Sequence, residues 1–199
     1  MKAEMAERYR PTVDRLLARM VAGPLIHIDE AKITLKTETG YVFVATNMEE
    51  VVFTYRATRK TDFLEELLRG FTGVLVSDFY TGYDSLNCPQ QKCLVHLIRD
   101  MNDDVLKNPF DEELILIAQA FGGIMRGIVN TIDRFGLKAR HLGQHRREVS
   151  RWFHKIDAQS FRSDVAEGYR KRLCKYRDKL FVFLEYDGIP WNNNNAFAA

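Results

Sequence analysis

Two aspartates stand at the ends of short apolar runs and are the residues best placed to do chemistry. Asp29 follows the run at residues 25–28, and Asp78 follows the run at residues 74–77. Short runs of β-branched and aliphatic residues predict buried strands. A carboxylate at the tip of a buried strand is unfavourable unless it is paired, hydrogen-bonded or bound to a metal. Two neighbouring tips would suit divalent cations held over a phosphodiester; the alternative is that each Asp caps the turn that follows.

The elements that would position these aspartates predict an α/β fold with a mixed five-stranded sheet and flanking helices. Apolar spacing predicts strands at residues 25–29, 41–46, 51–56, 74–78 and 92–95, with the second and third antiparallel because their loop is short. Helical spacing predicts helices at residues 1–20, 61–69, from 96 onward, 113–135, 146–156 and 163–186.

This order of elements predicts four segments along the chain. They are an N-terminal helix at 1–24, a catalytic core at 25–110, a mostly helical insertion or extension at 111–186 and a C-terminal segment at 187–199. We expect Trp191 and the asparagines that follow it to form a loop in the last of these.

Composition narrows the class of protein. The chain has 199 residues, 46% of them hydrophobic, and a net charge of +2. We expect a soluble protein with no membrane span, since no apolar run approaches the roughly 20 residues that a bilayer requires. Three cysteines, an odd number, argue against a disulfide framework and fit the reducing cytoplasm.

Positive charge is concentrated in one part of the chain. Residues 134–179 contain 14 Lys and Arg against 5 Asp and Glu, which suggests a surface that faces a polyanion. Arg140, Arg146, Arg147 and Arg151 lie near Trp152 and Phe153. Basic residues beside aromatics suit a DNA groove or an unpaired base; the alternatives are a solvated helical face and a buried Trp152.

Four stretches in this order resemble the DDE transposases of bacterial insertion sequences, specifically the insertion-sequence 66 group. They are His27-Ile28-Asp29-Glu30, Gly73-Val74-Leu75-Val76-Ser77-Asp78-Phe79-Tyr80, Gln91-Lys92-Cys93-Leu94-Val95-His96-Leu97-Ile98-Arg99-Asp100 and Trp191-Asn192-Asn193-Asn194-Asn195-Ala196. The resemblance spans nearly the whole chain, and the helical block lies between the third stretch and the fourth.

The resemblance implies a ribonuclease-H-like fold that cleaves and joins DNA strands at transposon ends. It implies two Mg²⁺ or Mn²⁺ ions, with Asp29 and Asp78 as catalytic metal ligands. His96 and Arg99 would contact the scissile phosphate or orient a carboxylate; the alternative is a helix-start histidine and a surface arginine. The implied partners are transposon-end and target DNA, with a possible homodimer, in the bacterial cytoplasm at the nucleoid.

One position departs from the family pattern. The third acidic residue of these transposases corresponds to Phe197, and phenylalanine cannot ligate a metal. We therefore expect a truncated and impaired transposase; Glu30, Glu185 and Asp187 are other acidic residues, but no spacing favours them. DNA-recognition segments upstream are also expected to be absent. The alternatives are a non-catalytic DNA-binding remnant of a transposase and a ribonuclease-H-like nuclease.

Overall fold

The computed structural model describes residues 2–36 and 38–197. Nine α-helices and five strands are found in these ranges. The helices are α1 (Lys2–Val21), α2 (Asp62–Leu67), α3 (Leu94–Lys107), α4 (Glu112–Phe135), α5 (Ala139–Leu142), α6 (Arg146–Ala158), α7 (Asp164–Lys175), α8 (Arg177–Leu180) and α9 (Asn194–Phe197). The strands are β1 (Leu25–Thr34), β2 (Thr39–Thr46), β3 (Val51–Arg56), β4 (Val74–Ser77) and β5 (Gln90–Lys92).

The chain divides into two compact units. The first contains the chain up to Gln91 together with the segment from Asn192 onward, and the second contains Lys92–Trp191. The first unit is therefore discontinuous in sequence.

The strands form one sheet in the order β3-β2-β1-β4-β5. β1 pairs antiparallel with β2, and β2 pairs antiparallel with β3, whereas β1 pairs parallel with β4. The predicted α/β class with a mixed five-stranded sheet and flanking helices is confirmed. The strand order is consistent with the predicted ribonuclease-H-like fold.

Alternation along β1 divides its side chains between the two faces of the sheet. Ile26 and Ile28 of β1 and Leu75 of β4 belong to a buried cluster that includes Met20 of α1 and Leu64 of α2. His27 and Asp29, which alternate with these residues along β1, lie on the opposite face. One face of the sheet is thus an apolar core, and the other carries the polar residues of interest.

The predicted fifth strand is misplaced by two residues. Residues 92–95 were expected to be extended, but β5 ends at Lys92 and α3 begins at Leu94. Leu94, Leu97 and Met101 are buried at the three- and four-residue spacing of a helix face. Short apolar runs do not distinguish a strand from the start of a buried helix, whereas β5 itself consists of three buried polar residues.

The last predicted helix is also divided in the structure. Residues 163–186 contain α7, α8 and a short 3-10 turn at Val182–Leu184. The break falls at Tyr176, which has φ −102° and ψ 13° and ends α7. Side-chain spacing alone did not show this break because apolar residues continue at helical intervals across it.

Helix α4 contains a longer apolar stretch than we expected, since no run was predicted to approach the length of a membrane span. By length and composition alone it could cross a membrane, and it is the one such helix among the described residues. Buried helices of soluble proteins meet the same criteria. Leu114, Ile117, Phe121, Ile124 and Ile128 form a buried stripe along α4, which is the pattern of a helix that packs one apolar face against a core.

We expect Leu75→Ala to destabilise the first unit by about 2–5 kcal/mol, because it leaves a cavity in the core beneath β4. Leu75 is fully buried, whereas Leu35 is 43% exposed, so Leu35→Ala serves as the matched control. Urea unfolding measures both. Equal losses of stability in the two variants would contradict the assignment of Leu75 to the core face.

Candidate active site beside two parallel strands

The pairing of β1 with β4 brings the two predicted aspartates to the same level of the sheet. Leu25 pairs with Val74, Ile26 with Leu75 and His27 with Val76. Continued by two residues, this register sets Asp29 beside Asp78, which directly follows β4. Because the strands are parallel and both residues lie an even number of positions along, we expect the two side chains to share one face. Neighbouring strands lie about 4.8 Å apart, so we expect the carboxylates to be neighbours.

Asp29 is a buried carboxylate with hydrogen bonds on both oxygens. Asp29 is only 8% exposed. Oδ1 accepts a hydrogen bond from the backbone N–H of Glu30 at 2.8 Å, and Oδ2 accepts one from Nδ2 of Asn193 at 3.3 Å. These bonds offset part of the cost of burying the carboxylate.

Asp78 is half-buried and belongs to the turn that ends β4. Its Oδ1 accepts a hydrogen bond from the backbone N–H of Tyr80 at 2.8 Å, which is the geometry of an Asx turn. The turn-capping alternative is therefore present in the structure. It is compatible with metal binding, because the cap fixes the carboxylate through one oxygen only.

Asn193 joins the C-terminal segment to β1, whose strand continues past Asp29 to Thr34 instead of ending at residue 29 as predicted. Its side chain is fully buried, and Nδ2 also donates to the carbonyl oxygen of Ile28 at 2.9 Å. Its Oδ1 lies 3.0 Å from Nδ1 of His27. A single amide thus contacts three consecutive residues of β1, including the candidate catalytic aspartate.

These contacts indicate which ring nitrogen of His27 carries the proton. The oxygen of Asn193 can only accept, so Nδ1 of His27 carries the proton. Nε2 then accepts from Nδ2 of Asn195, 3.2 Å away. Burial lowers the pKa of His27, and the hydrogen bond to Asn193 offsets this only in part, so the imidazole is held neutral.

The sequence did not identify Asn193 as a site residue. We expected the asparagine run to be a loop, but α9 starts within it and contacts β1 and β2. Asn193 and Asp29 are 164 residues apart in sequence, and no local pattern reports such a contact. The one available signal was the run of four polar amides directly after Trp191.

Glu30, one of the other acidic residues considered above, lies on the opposite face from Asp29. Its carboxylate is bound by the guanidinium of Arg59, with Nε 2.7 Å from Oε1, and by the hydroxyl of Tyr83. Burial, followed by the charge of Glu30, raises the pKa of the Tyr83 hydroxyl. Arg59 also lies over the ring of Tyr80, 3.9 Å from its centroid. Glu30 is therefore committed to this network.

The predicted auxiliary residues His96 and Arg99 lie in the first two turns of α3, in the second unit. His96 is half-buried, and Arg99 is exposed. Phe197 is the last residue of α9, but its side chain lies outside the described part of the structure. The roles of all three positions stay predictions.

The four predicted DNA-binding arginines are exposed, Arg140 in α5 and Arg146, Arg147 and Arg151 in α6. The aromatic residues expected to accompany them are not available at the surface. Trp152 is 7% exposed and Phe153 2%, so these rings belong to the core of the second unit.

A metal ion at this site would find two carboxylates and no third ligand. Within residues 2–36 and 38–197, no group of three or more His, Cys, Asp or Glu side chains could hold one ion. Mg²⁺ binds proteins through one or two carboxylates, with water and substrate phosphate completing the shell. Asp29 and Asp78 fit that form of binding.

The mixed five-stranded sheet with its flanking helices places the chain among α/β proteins. A family model described as Transposase IS66 family matches residues 1–197, and the chain belongs to that family. Neither a curated protein nor a solved structure matches it.

We expect Asn193→Ala to reduce the free energy of unfolding by about 1–3 kcal/mol, because it leaves buried groups of His27 and Ile28 without a hydrogen-bond partner. Urea unfolding measures the loss. Asn194 is exposed, so Asn194→Ala removes an asparagine from the same run without that effect. An equal change in both variants would show that Asn193 does not hold the segment.

The neutral state of His27 predicts that acid weakens the fold. Its folded pKa lies below the ordinary value of 6.5, so the unfolded chain binds the proton more readily. The contribution of His27 is complete above about pH 6.5 and is lost as the pH falls through the folded pKa.

Urea midpoints between pH 8 and pH 5 test this expectation. We expect His27→Gln to flatten the pH dependence, because glutamine offers a donor and an acceptor but does not titrate. His154 is exposed, and His154→Gln is the control for loss of an imidazole. An unchanged pH profile in His27→Gln would contradict a buried neutral His27.

Proposed function

We propose that this protein is a transposase whose first unit cleaves and joins DNA strands at the ends of a mobile element by metal-dependent phosphoryl transfer. Asp29 and Asp78 are the proposed metal ligands. The observation that carries the proposal is the parallel register of β1 and β4, from which we infer that the two carboxylates lie side by side on one face. Membership of the Transposase IS66 family supports the same chemistry.

The chemistry of the ligands favours a hard cation. Both candidate side chains offer carboxylate oxygen, the donor that Mg²⁺ and Mn²⁺ prefer. When bound, such ions lower the pKa of an attacking water or 3′-hydroxyl and stabilise the leaving oxygen of the phosphodiester.

The protein residues around the aspartates position them. Asn193 and the N–H of Glu30 fix the carboxylate of Asp29, while the N–H of Tyr80 fixes that of Asp78. A carboxylate held by such bonds loses little rotamer freedom on binding a cation, and partners of this kind tune metal affinity. Neutral His27 adds no positive charge to repel a cation.

The second unit supplies the proposed DNA contacts. Arg140, Arg146, Arg147 and Arg151 are exposed and are proposed to bind phosphates, which gives binding that is independent of sequence and weakened by salt. His96 and Arg99 are proposed to assist at the scissile phosphate. A homodimer that holds two DNA ends, and a location in the bacterial cytoplasm, belong to the same proposal.

A second candidate function is DNA binding without catalysis. It is favoured by the lack of a three-ligand group among the described residues and by Phe197 at the third acidic position of the family pattern. Under this alternative the arginines of α5 and α6 bind DNA, and the two aspartates serve only the local structure of β1 and of the turn after β4.

Calorimetric titration with Mn²⁺ separates the two functions. We expect the unaltered protein to show saturable binding that Asp29→Asn and Asp78→Asn each remove, since each change replaces a charged ligand oxygen with a neutral amide. Asp14 is exposed on α1, and Asp14→Asn is the matched control. Urea unfolding confirms that each variant remains folded.

Two further variants test the same site. We expect Asn193→Ala to weaken Mn²⁺ binding by about tenfold, because it releases Asp29. Phe197→Glu is expected to strengthen Mn²⁺ binding and raise metal-dependent cleavage of end-sequence DNA.

Mn²⁺ binding that survives in both aspartate variants overturns the proposed site, and a folded protein that binds DNA but no Mn²⁺ supports the second function.

A further inference from the structure

A pair of stacked rings, exposed Phe135 and half-buried His141, lies where α4 ends and α5 begins. The rings of Phe135 and His141 have centroids 4.2 Å apart and planes only 13° from parallel. Phe135 is 44% exposed, unlike Trp152 and Phe153, which are buried. A stacked pair at the surface presents flat apolar area to solvent rather than to a core.

Cationic groups adjoin both rings. The guanidinium of Arg134 lies 5.3 Å from the centroid of Phe135, and Arg134 is exposed. Nε of Arg140 donates to Nε2 of His141 at 3.0 Å. The ring pair is therefore flanked by two arginines, one beside each ring.

The local charge balance leaves this surface open to anions. Lys138 lies between the two rings in sequence, with Nζ 3.7 Å from Oδ2 of Asp187. The other oxygen of Asp187 accepts from the backbone N–H of Ala139 at 2.7 Å. Asp187 is thus already engaged, whereas Arg134 and Arg140 contact aromatic rings rather than carboxylates and remain able to bind phosphate.

We propose that Phe135, His141, Arg134 and Arg140 form a stacking platform for an unpaired base of single-stranded DNA. A base extends a stack of rings or covers a guanidinium plane, and neighbouring arginines bind the phosphates on either side of it. Duplex DNA does not offer this contact because its bases are already stacked on each other. The platform rests on the proposed function for its DNA partner, but it lies in the second unit and requires no metal.

The probe is a fluorescently labelled thymidine 12-mer, with an abasic 12-mer that keeps the phosphates and lacks the bases. Fluorescence anisotropy in EDTA measures the affinity of the full chain for each. We expect Phe135→Leu to weaken binding of the thymidine 12-mer on the order of tenfold, because leucine keeps apolar volume but cannot stack. Binding of the abasic 12-mer is expected to stay unchanged.

Two control variants make the result specific. Phe110 is 94% exposed in the turn between α3 and α4, beside acidic residues, so Phe110→Leu is expected to bind both probes like the unaltered chain. Phe135→Trp keeps an aromatic ring and is expected to restore affinity, with quenching of its added fluorescence by thymidine 12-mer. Thermal unfolding checks that each variant is folded.

The dependence of affinity on salt distinguishes stacking from charge. We expect Phe135→Leu to keep the slope of log affinity against log salt, since no phosphate contact is removed. Equal weakening for the thymidine and abasic probes, or no weakening, overturns the platform. A failure of the unaltered chain to bind Mn²⁺ would instead count against the proposed function, and it would leave the result for the platform unaffected.

Discussion

The parallel pairing of β1 with β4 is the constraint on which the candidate site depends. Three backbone pairs set the register, and we expect the same register, continued by two residues, to set Asp29 and Asp78 at one level and on one face. A shift of one residue would move one aspartate to the apolar face, since strand side chains alternate. The core side chains Ile26, Ile28 and Leu75 oppose such a shift, because it would expose them. The apolar core therefore enforces the geometry of the polar site.

The same alternation gives two adjacent carboxylates different roles. Asp29 faces the candidate site, where Asn193 and a backbone N–H bind it, whereas Glu30 faces the other side and is bound by Arg59 and Tyr83. Consecutive acidic residues in a strand are thus not interchangeable ligands. An ion pair with a guanidinium and a hydrogen bond from a phenol together bind Glu30, so moving it towards a metal would break both contacts.

Much of this arrangement follows from sequence because the signals are local. The apolar runs of β1 and β4 and the aspartate after each are visible in a few residues. β5 is different: its three residues are polar, and its start is fixed by the amide of Gln90, which donates to the carbonyls of Tyr83 and Leu86. Asn193 and the ring pair of Phe135 and His141 likewise depend on contacts or helix phase that residue types alone do not reveal.

The C-terminal segment is part of the site rather than an appendage to it. Asn193 bonds to His27, Ile28 and Asp29, and α9 follows directly, so position 197 lies about one helical turn beyond a residue that touches Asp29. One turn of helix advances about 5.4 Å, and residues four apart occupy the same side of a helix. A glutamate at that position would start from backbone that the asparagine contacts already hold near the sheet. In the proposed function, the identity of the residue at position 197 therefore decides whether the cation is offered a third oxygen ligand. The surrounding fold matters less for this.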